Sequence, residues 1–182
     1  MNIEQTFIKD LVILTPEVFK DERGWFFEAY NKNKLNGLGI SINFVQDNQS
    51  LSQRGTLRGL HYQNPPFAQT KLVQVLQGEI IDVAVDLRKD SSTYGKHFGI
   101  KLTAENKKQL LVPHGFAHGF SVLSETAVVM YKCDQFYNKQ SEGGIRYDDK
   151  ILHIDWGMDL ADAIVSKKDL ILPDFINCNS QF

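Results

Sequence analysis

Two short segments hold most of the chemistry this sequence offers: Leu57-Arg58-Gly59-Leu60-His61-Tyr62-Gln63 and Pro113-His114-Gly115-Phe116-Ala117-His118-Gly119-Phe120. Histidine is the side chain whose unperturbed pKa lies nearest neutral pH, so His61 and His118 suit either proton transfer or metal ligation. A metal asks for more ligands than these segments supply. The position two beyond His61 is Gln63, no Glu follows within the next few residues, and the nearby Lys71 ammonium repels a divalent cation. Catalytic transition-metal sites commonly keep three protein ligands, so we expect no metal here. Other reactive patterns are missing. No Gly-x-Gly-x-x-Gly, P-loop, Gly-x-Ser-x-Gly or Cys-x-x-Cys occurs, which removes the commonest dinucleotide, nucleotide-hydrolysing, serine-hydrolase and zinc-cysteine readings.

The elements that must position these residues are short alternating segments separated by turn residues. Val73 and Val75, then Ile81, Val83, Val85 and Leu87, alternate with more polar neighbours, and Gln77-Gly78-Glu79 between them reads as a hairpin connection. His97 to Leu102 follows, then Leu110-Leu111-Val112 running into Pro113. Gly119 to Leu123 and Ala127 to Cys133 read as another pair, joined at Ser124-Glu125. Many short strands at near-regular spacing indicate an all-β antiparallel sandwich or barrel, not a parallel α/β sheet. Helical pattern is confined to Lys32–Leu38 and a turn or two near Asp159–Ile164. We expect the strands after about Phe44 to form the core of a single domain spanning residues 1–182. The first 40 or so residues read as an arm or appended sheet, able to complete a neighbour's sheet edge in a dimer.

Composition narrows the partners. The 182 residues carry a formal net charge of −2 with a pI of about 6.2, and 42% are hydrophobic, an ordinary globular make-up. Lys107-Lys108 and Lys167-Lys168 are only short basic pairs, so nucleic acid is not an expected partner, although a small anion is. No apolar run is long enough to suggest a membrane helix. The start lacks the blocks of a signal peptide, and Cys133 and Cys178 are too few for a disulfide framework. A cytoplasmic protein with reduced thiols is the expectation.

Beyond the two histidine segments, Asp21-Glu22-Arg23-Gly24-Trp25-Phe26-Phe27-Glu28, Gln46-Asp47-Asn48-Gln49-Ser50, Lys71-Leu72-Val73, Asp82 to Arg88 and Ser166-Lys167-Lys168-Asp169 occur in order. With these motifs the chain resembles the dTDP-4-dehydrorhamnose 3,5-epimerases over nearly its full length. The resemblance implies a cupin-like jelly-roll homodimer that uses neither metal nor organic cofactor. It implies a deoxythymidine-diphosphate sugar substrate with a ketone at C4, which acidifies the protons on C3 and C5. His61 then matches the base, Asp169 its orienting carboxylate, Tyr131 the residue returning a proton from the other face, and Lys71 the cation beside the enolate oxygen. Arg23, Arg58 and Lys167 match positions meeting the diphosphate. Phe26, Glu28, Gln46, Asn48, His118, Tyr137 and Glu142 match positions lining the nucleotide and sugar pocket. Epimerases acting at one centre only, or on GDP-linked or heptose sugars, are related alternatives, and a sugar-binding jelly roll without catalysis is another. Tyr147 and Asp149, and Leu111-Val112-Pro113, depart from the family's common residues beside the motifs, which bears on sugar and base specificity.

Taken singly, each residue also has a plainer explanation. A strand histidine reads first as structural, Tyr131 as a core tyrosine among Ala127 and Val129, and Lys71 as a snorkelling edge lysine. Asp169 reads as a solvated carboxylate, and Arg23 as half of a loop ion pair. Strand geometry adds a test, because Arg58 and His61 have opposite parity and face opposite sides of an unbroken strand. If both serve one pocket, the strand must be irregular between them, and Gly59 is the natural place.

Overall fold

Two facing antiparallel sheets answer the alternation in the sequence. The computed structural model describes residues 1–182. One sheet runs in the order β1 (Asn2–Gln5), β2 (Val12–Thr15), β10 (Gln109–Val112), β7 (Lys71–Gln77), β12 (Thr126–Cys133) and β5 (Gln46–Gln53). The other runs β13 (Glu142–Gly144), β6 (Thr56–Gln63), β11 (Phe116–Val122), β8 (Glu79–Asp86) and β9 (His97–Thr103), with β14 (Ile164–Val165) lying parallel to β6. The fold is a cupin-like jelly roll. A separate hairpin, β3 (Phe19–Asp21) and β4 (Gly24–Phe26), pairs with neither sheet.

Three apolar layers follow from the strand parities. Val73, Val75, Leu110, Ala127 and Val129 of the first sheet meet Ile80, Ala84, Phe116, Phe120 and Val122 of the second in the central core. Leu57, Leu60, Val83 and Val85 point the other way, where Ile145, Leu152 and Trp156 of the C-terminal third cover them. On the outer face of the first sheet, Leu35 of the short helix α1 (Lys32–Gly37) packs on Val12, Leu14, Leu72 and Leu111. That helix starts where Asn31 accepts a hydrogen bond from the Lys34 N–H, filling one orphan donor of its first turn.

Three expectations change here. The Gln77-Gly78-Glu79 turn does not make a hairpin, since β7 and β8 belong to opposite sheets. Ser124-Glu125 likewise carries the chain from β11 in one sheet to β12 in the other. The two corners pack on each other: a Cβ on Gly78, whose φ is +77°, would lie 2.1 Å from the Thr126 carbonyl oxygen. The core also begins before Phe44. Ile8, Leu11 and Ile13 belong to the central layer, and β1 and β2 extend the chain's own sheet. At Asp159–Ile164 the helical signal is a single 3-10 turn, Leu160–Asp162, capped by Asp159.

Candidate active site

The two sheets part at one end of the sandwich, and a cleft of about 700 Å³ opens between them. From the second sheet, Arg58 and His61 of β6 and His118 of β11 enter it; from the first come Asn48 of β5, Lys71 of β7 and Tyr131 of β12. Inward parity explains the first-sheet set. Tyr131 lies directly opposite Asn48, and Lys71 opposite Cys133, so all four share the face that carries Val73 and Val129.

Arg58 and His61 reach the same cleft because β6 bulges between them, as parity required. Three steps on β6, from Arg58 to His61, match two on β11, from Phe120 to His118. Leu57, Leu60 and Tyr62 consequently all point into the outer apolar layer. Gly59 makes this possible. Its φ is +122°, and a Cβ there would lie 2.6 Å from Gly119 Cα. Gly119 needs the same economy, because its own Cβ would lie 2.7 Å from the Arg58 carbonyl oxygen. The glycines of the two histidine segments thus press backbone against backbone.

Across this bulge lies Asp169, which is buried in the segment after β14. Its Oδ1 lies 2.7 Å from His61 Nε2, while Oδ2 accepts from the Gly59 N–H at 3.5 Å. Burial alone would raise the Asp169 pKa, but the His61 hydrogen bond and charge, with the Gly59 N–H and Ser166, hold it below the ordinary value. An ionised Asp169 keeps the shared proton on Nε2, which leaves the Nδ1 lone pair of His61 as a base. The His61 side chain retains 31% of its exposure, so a ligand in the cleft can touch it. A second pair lies deeper: His118 Nε2 is 2.8 Å from Asp82 Oδ1, with side-chain exposures of 7% and 0%.

The remaining polar groups are tuned by burial. Burial pulls the Lys71 ammonium below its usual pKa, against the opposing charges of Cys133, Asp82 and Glu142. The Lys71 Nζ stands 5.8 Å from the Tyr131 ring centre. Burial pushes the Tyr131 phenol up, and Cys133 adds to this while Arg58 opposes it. Tyr131 is therefore a neutral proton donor at neutral pH. No group of three or more His, Cys, Asp or Glu side chains is placed to hold a metal ion.

The other expected residues lie at the rim or elsewhere. Lys168, not Lys167, lines the cleft; it pairs with Glu142, whose other oxygen accepts from the Tyr137 hydroxyl at 3.1 Å. Gln46 accepts from the Tyr137 N–H and donates to Asn48, so Gln46, Tyr137 and Glu142 form a rim network rather than cleft wall. Glu28 is paired with Lys34 beside α1. Arg23 is bound to Asp21 at 2.6 Å on the separate hairpin and shares a different cavity with Phe26. Ser50, Ser52 and Asp82 were not singled out by sequence. The available signal was a polar side chain on the inward parity of an otherwise apolar strand, as at Asp82 between Ile80 and Ala84.

The chain is similar to proteins of known family over nearly its full length. Residues 5–177 match the family model described as dTDP-4-dehydrorhamnose 3,5-epimerase. The chain belongs to that family. A dTDP-4-dehydrorhamnose 3,5-epimerase of Shigella flexneri is 48% identical over 98% of each chain. The crystal structure of the enzyme of that name from Elizabethkingia anophelis NUHP1 superposes with a TM-score of 0.93 at 54% identity, covering 97% of each chain. A dTDP-6-deoxy-D-glucose-3,5-epimerase from Legionella pneumophila, solved in complex with dTDP-4-keto-L-rhamnose, gives a TM-score of 0.91 at 47% identity, covering 95% of this chain and 92% of that one. Such agreement over nearly the whole length makes this chain a sugar-nucleotide epimerase by family.

Proposed function

We propose that the protein inverts C3 and C5 of a nucleotide-diphosphate 4-keto-6-deoxyhexose, with dTDP-4-keto-6-deoxyglucose as substrate. The observation that carries this reading is one cleft holding a carboxylate-paired histidine, a neutral tyrosine and a lysine. The Nδ1 lone pair of His61 takes the proton from the carbon beside the ketone, and the C–H electron pair moves into the enolate. Lys71 stabilises the charge growing on the C4 oxygen, an interaction that strengthens towards the transition state. Tyr131 then delivers a proton to the opposite face, and repetition at the second carbon completes the product. The ligand of the Legionella relative, dTDP-4-keto-L-rhamnose, is the product expected of this route.

Arg58 and Lys168 supply the cations for the diphosphate. The chain acts as a cytoplasmic homodimer, in which the exposed β3–β4 hairpin carries Arg23 and Phe26 towards a partner's cleft. The exposed faces of Phe19, Trp25 and Phe26 support this, since single domains seldom leave three aromatics so open on one hairpin. No helix is long and apolar enough to cross a membrane.

The test is incubation with dTDP-4-keto-6-deoxyglucose in deuterated water, following C3 and C5 by NMR. Deuterium at both carbons, with inversion, is expected. Exchange at one carbon alone makes the protein a mono-epimerase, and exchange at neither removes this substrate.

A further inference from the structure

Arg58 is held at one point and left open at another. Its Nε donates to Ser52 Oγ at 3.0 Å, and this is its one side-chain hydrogen bond; it makes no ion pair. Ser52 is buried, at 5% exposure, on the inward face of β5. Arg58 sits on β6, in the opposite sheet, just past the Gly55 turn. The hydrogen bond therefore ties the two layers together at the cleft mouth, six residues apart in sequence.

Both residues line the cleft. An arginine carries many rotamers, and ordering it on binding costs affinity. Fixing Nε from the side removes most of that freedom while both terminal nitrogens stay free to receive two oxygens of one anion. We propose that Ser52 is a positioning residue that preorganises the Arg58 fork for the diphosphate of the substrate. This rests on the nucleotide-diphosphate reading above. Ser52 touches neither the reacting carbons nor the phosphates; it acts through Arg58.

The test is a double-mutant cycle on the full-length protein, reading dTDP affinity by calorimetry, with thymidine as the phosphate-free probe and thermal melting as the fold control. Ser52→Ala weakens dTDP binding roughly three- to tenfold, the range expected for one freed rotamer-rich side chain, and leaves thymidine binding unaltered. Ser52→Thr, which keeps the hydroxyl, restores most of the loss. In turnover the loss falls on KM more than on kcat. In an Arg58→Ala background, Ser52→Ala has no further effect, which a merely structural serine would not show. An equal loss from Ser52→Ala with and without Arg58 overturns the proposal. If Arg58→Ala itself leaves dTDP affinity unchanged, the phosphate role of Arg58 fails, and the proposal fails with it. The nucleotide-sugar reading of the cleft is checked separately, by whether the parent protein binds dTDP and exchanges deuterium into the sugar.

Discussion

His61–Asp169 and His118–Asp82 are nearly the same pair in different surroundings. Their separations, 2.7 and 2.8 Å, do not distinguish them. Their settings do. Asp169 has a second anchor, the Gly59 N–H, and its histidine shows an open edge to the cleft. Asp82 Oδ2 has no hydrogen-bond partner, and its histidine is almost fully enclosed between β6 and β8. A base must be both oriented and reachable. On the proposed mechanism the first pair meets both conditions, while the second holds the enclosed His118 at the cleft wall. A third pair, His114–Asp134, is well formed at 2.8 Å but does not line the cleft, which shows that pairing alone is not a catalytic signal.

The contrast can be broken by mutation, most severely at the base. His61→Ala should lower kcat by about 10³-fold, within the usual span for general base catalysis, measured by coupled turnover. His118→Ala should cost roughly tenfold. Equal losses would erase the distinction drawn between the pairs. Asp169→Asn should follow with a loss on the order of 10²-fold, because the amide no longer fixes the proton on Nε2.

Stability should show the reverse order. Asp82→Ala strips the almost fully enclosed His118 of its partner, costing about 2 kcal/mol and lowering Tm by roughly 4–8 °C. The half-open His61 can turn to solvent, so Asp169→Ala should cost less. Asp169 also gives a pH signature. Its folded pKa lies below its unfolded value, so its contribution is full above the ordinary carboxylate range and is lost as pH falls through the folded pKa. Melting curves from neutral pH downwards should show the wild type losing part of its margin over Asp169→Asn below about pH 4. The smallest effect belongs at the rim. Lys168→Met should raise KM a few-fold at low salt and less at high salt, since the residue is half exposed and screened.

Sequence revealed much of this, and its failures have physical causes. Alternation at Val73, Val75 and Ile81–Leu87 reports which face a residue takes, and both strands were placed correctly in type. It carries no information on which sheet a strand joins, so the Gly78 and Ser124 corners read as hairpins. Parity worked best where it was broken. The opposite parities of Arg58 and His61 demanded an irregularity, and Gly59 supplies it. Lys167 was matched to the diphosphate by family resemblance alone, and the cleft is lined by its neighbour Lys168 instead. The partnership of His61 with Asp169, 108 residues apart, came from family resemblance; nothing local in Ser166-Lys167-Lys168-Asp169 announces a buried carboxylate. The hairpin residues Arg23 and Phe26 are a different case, because a single chain leaves them outside its own cleft.

The most direct measurement is deuterium wash-in from solvent by Tyr131→Phe and His61→Ala, followed by NMR at C3 and C5 of the keto-sugar. With the base on one face and the acid on the other, Tyr131→Phe should exchange protons through His61 while inverting little, and His61→Ala should do neither. Wash-in by His61→Ala at the parent rate would contradict the assignment of His61 as the base.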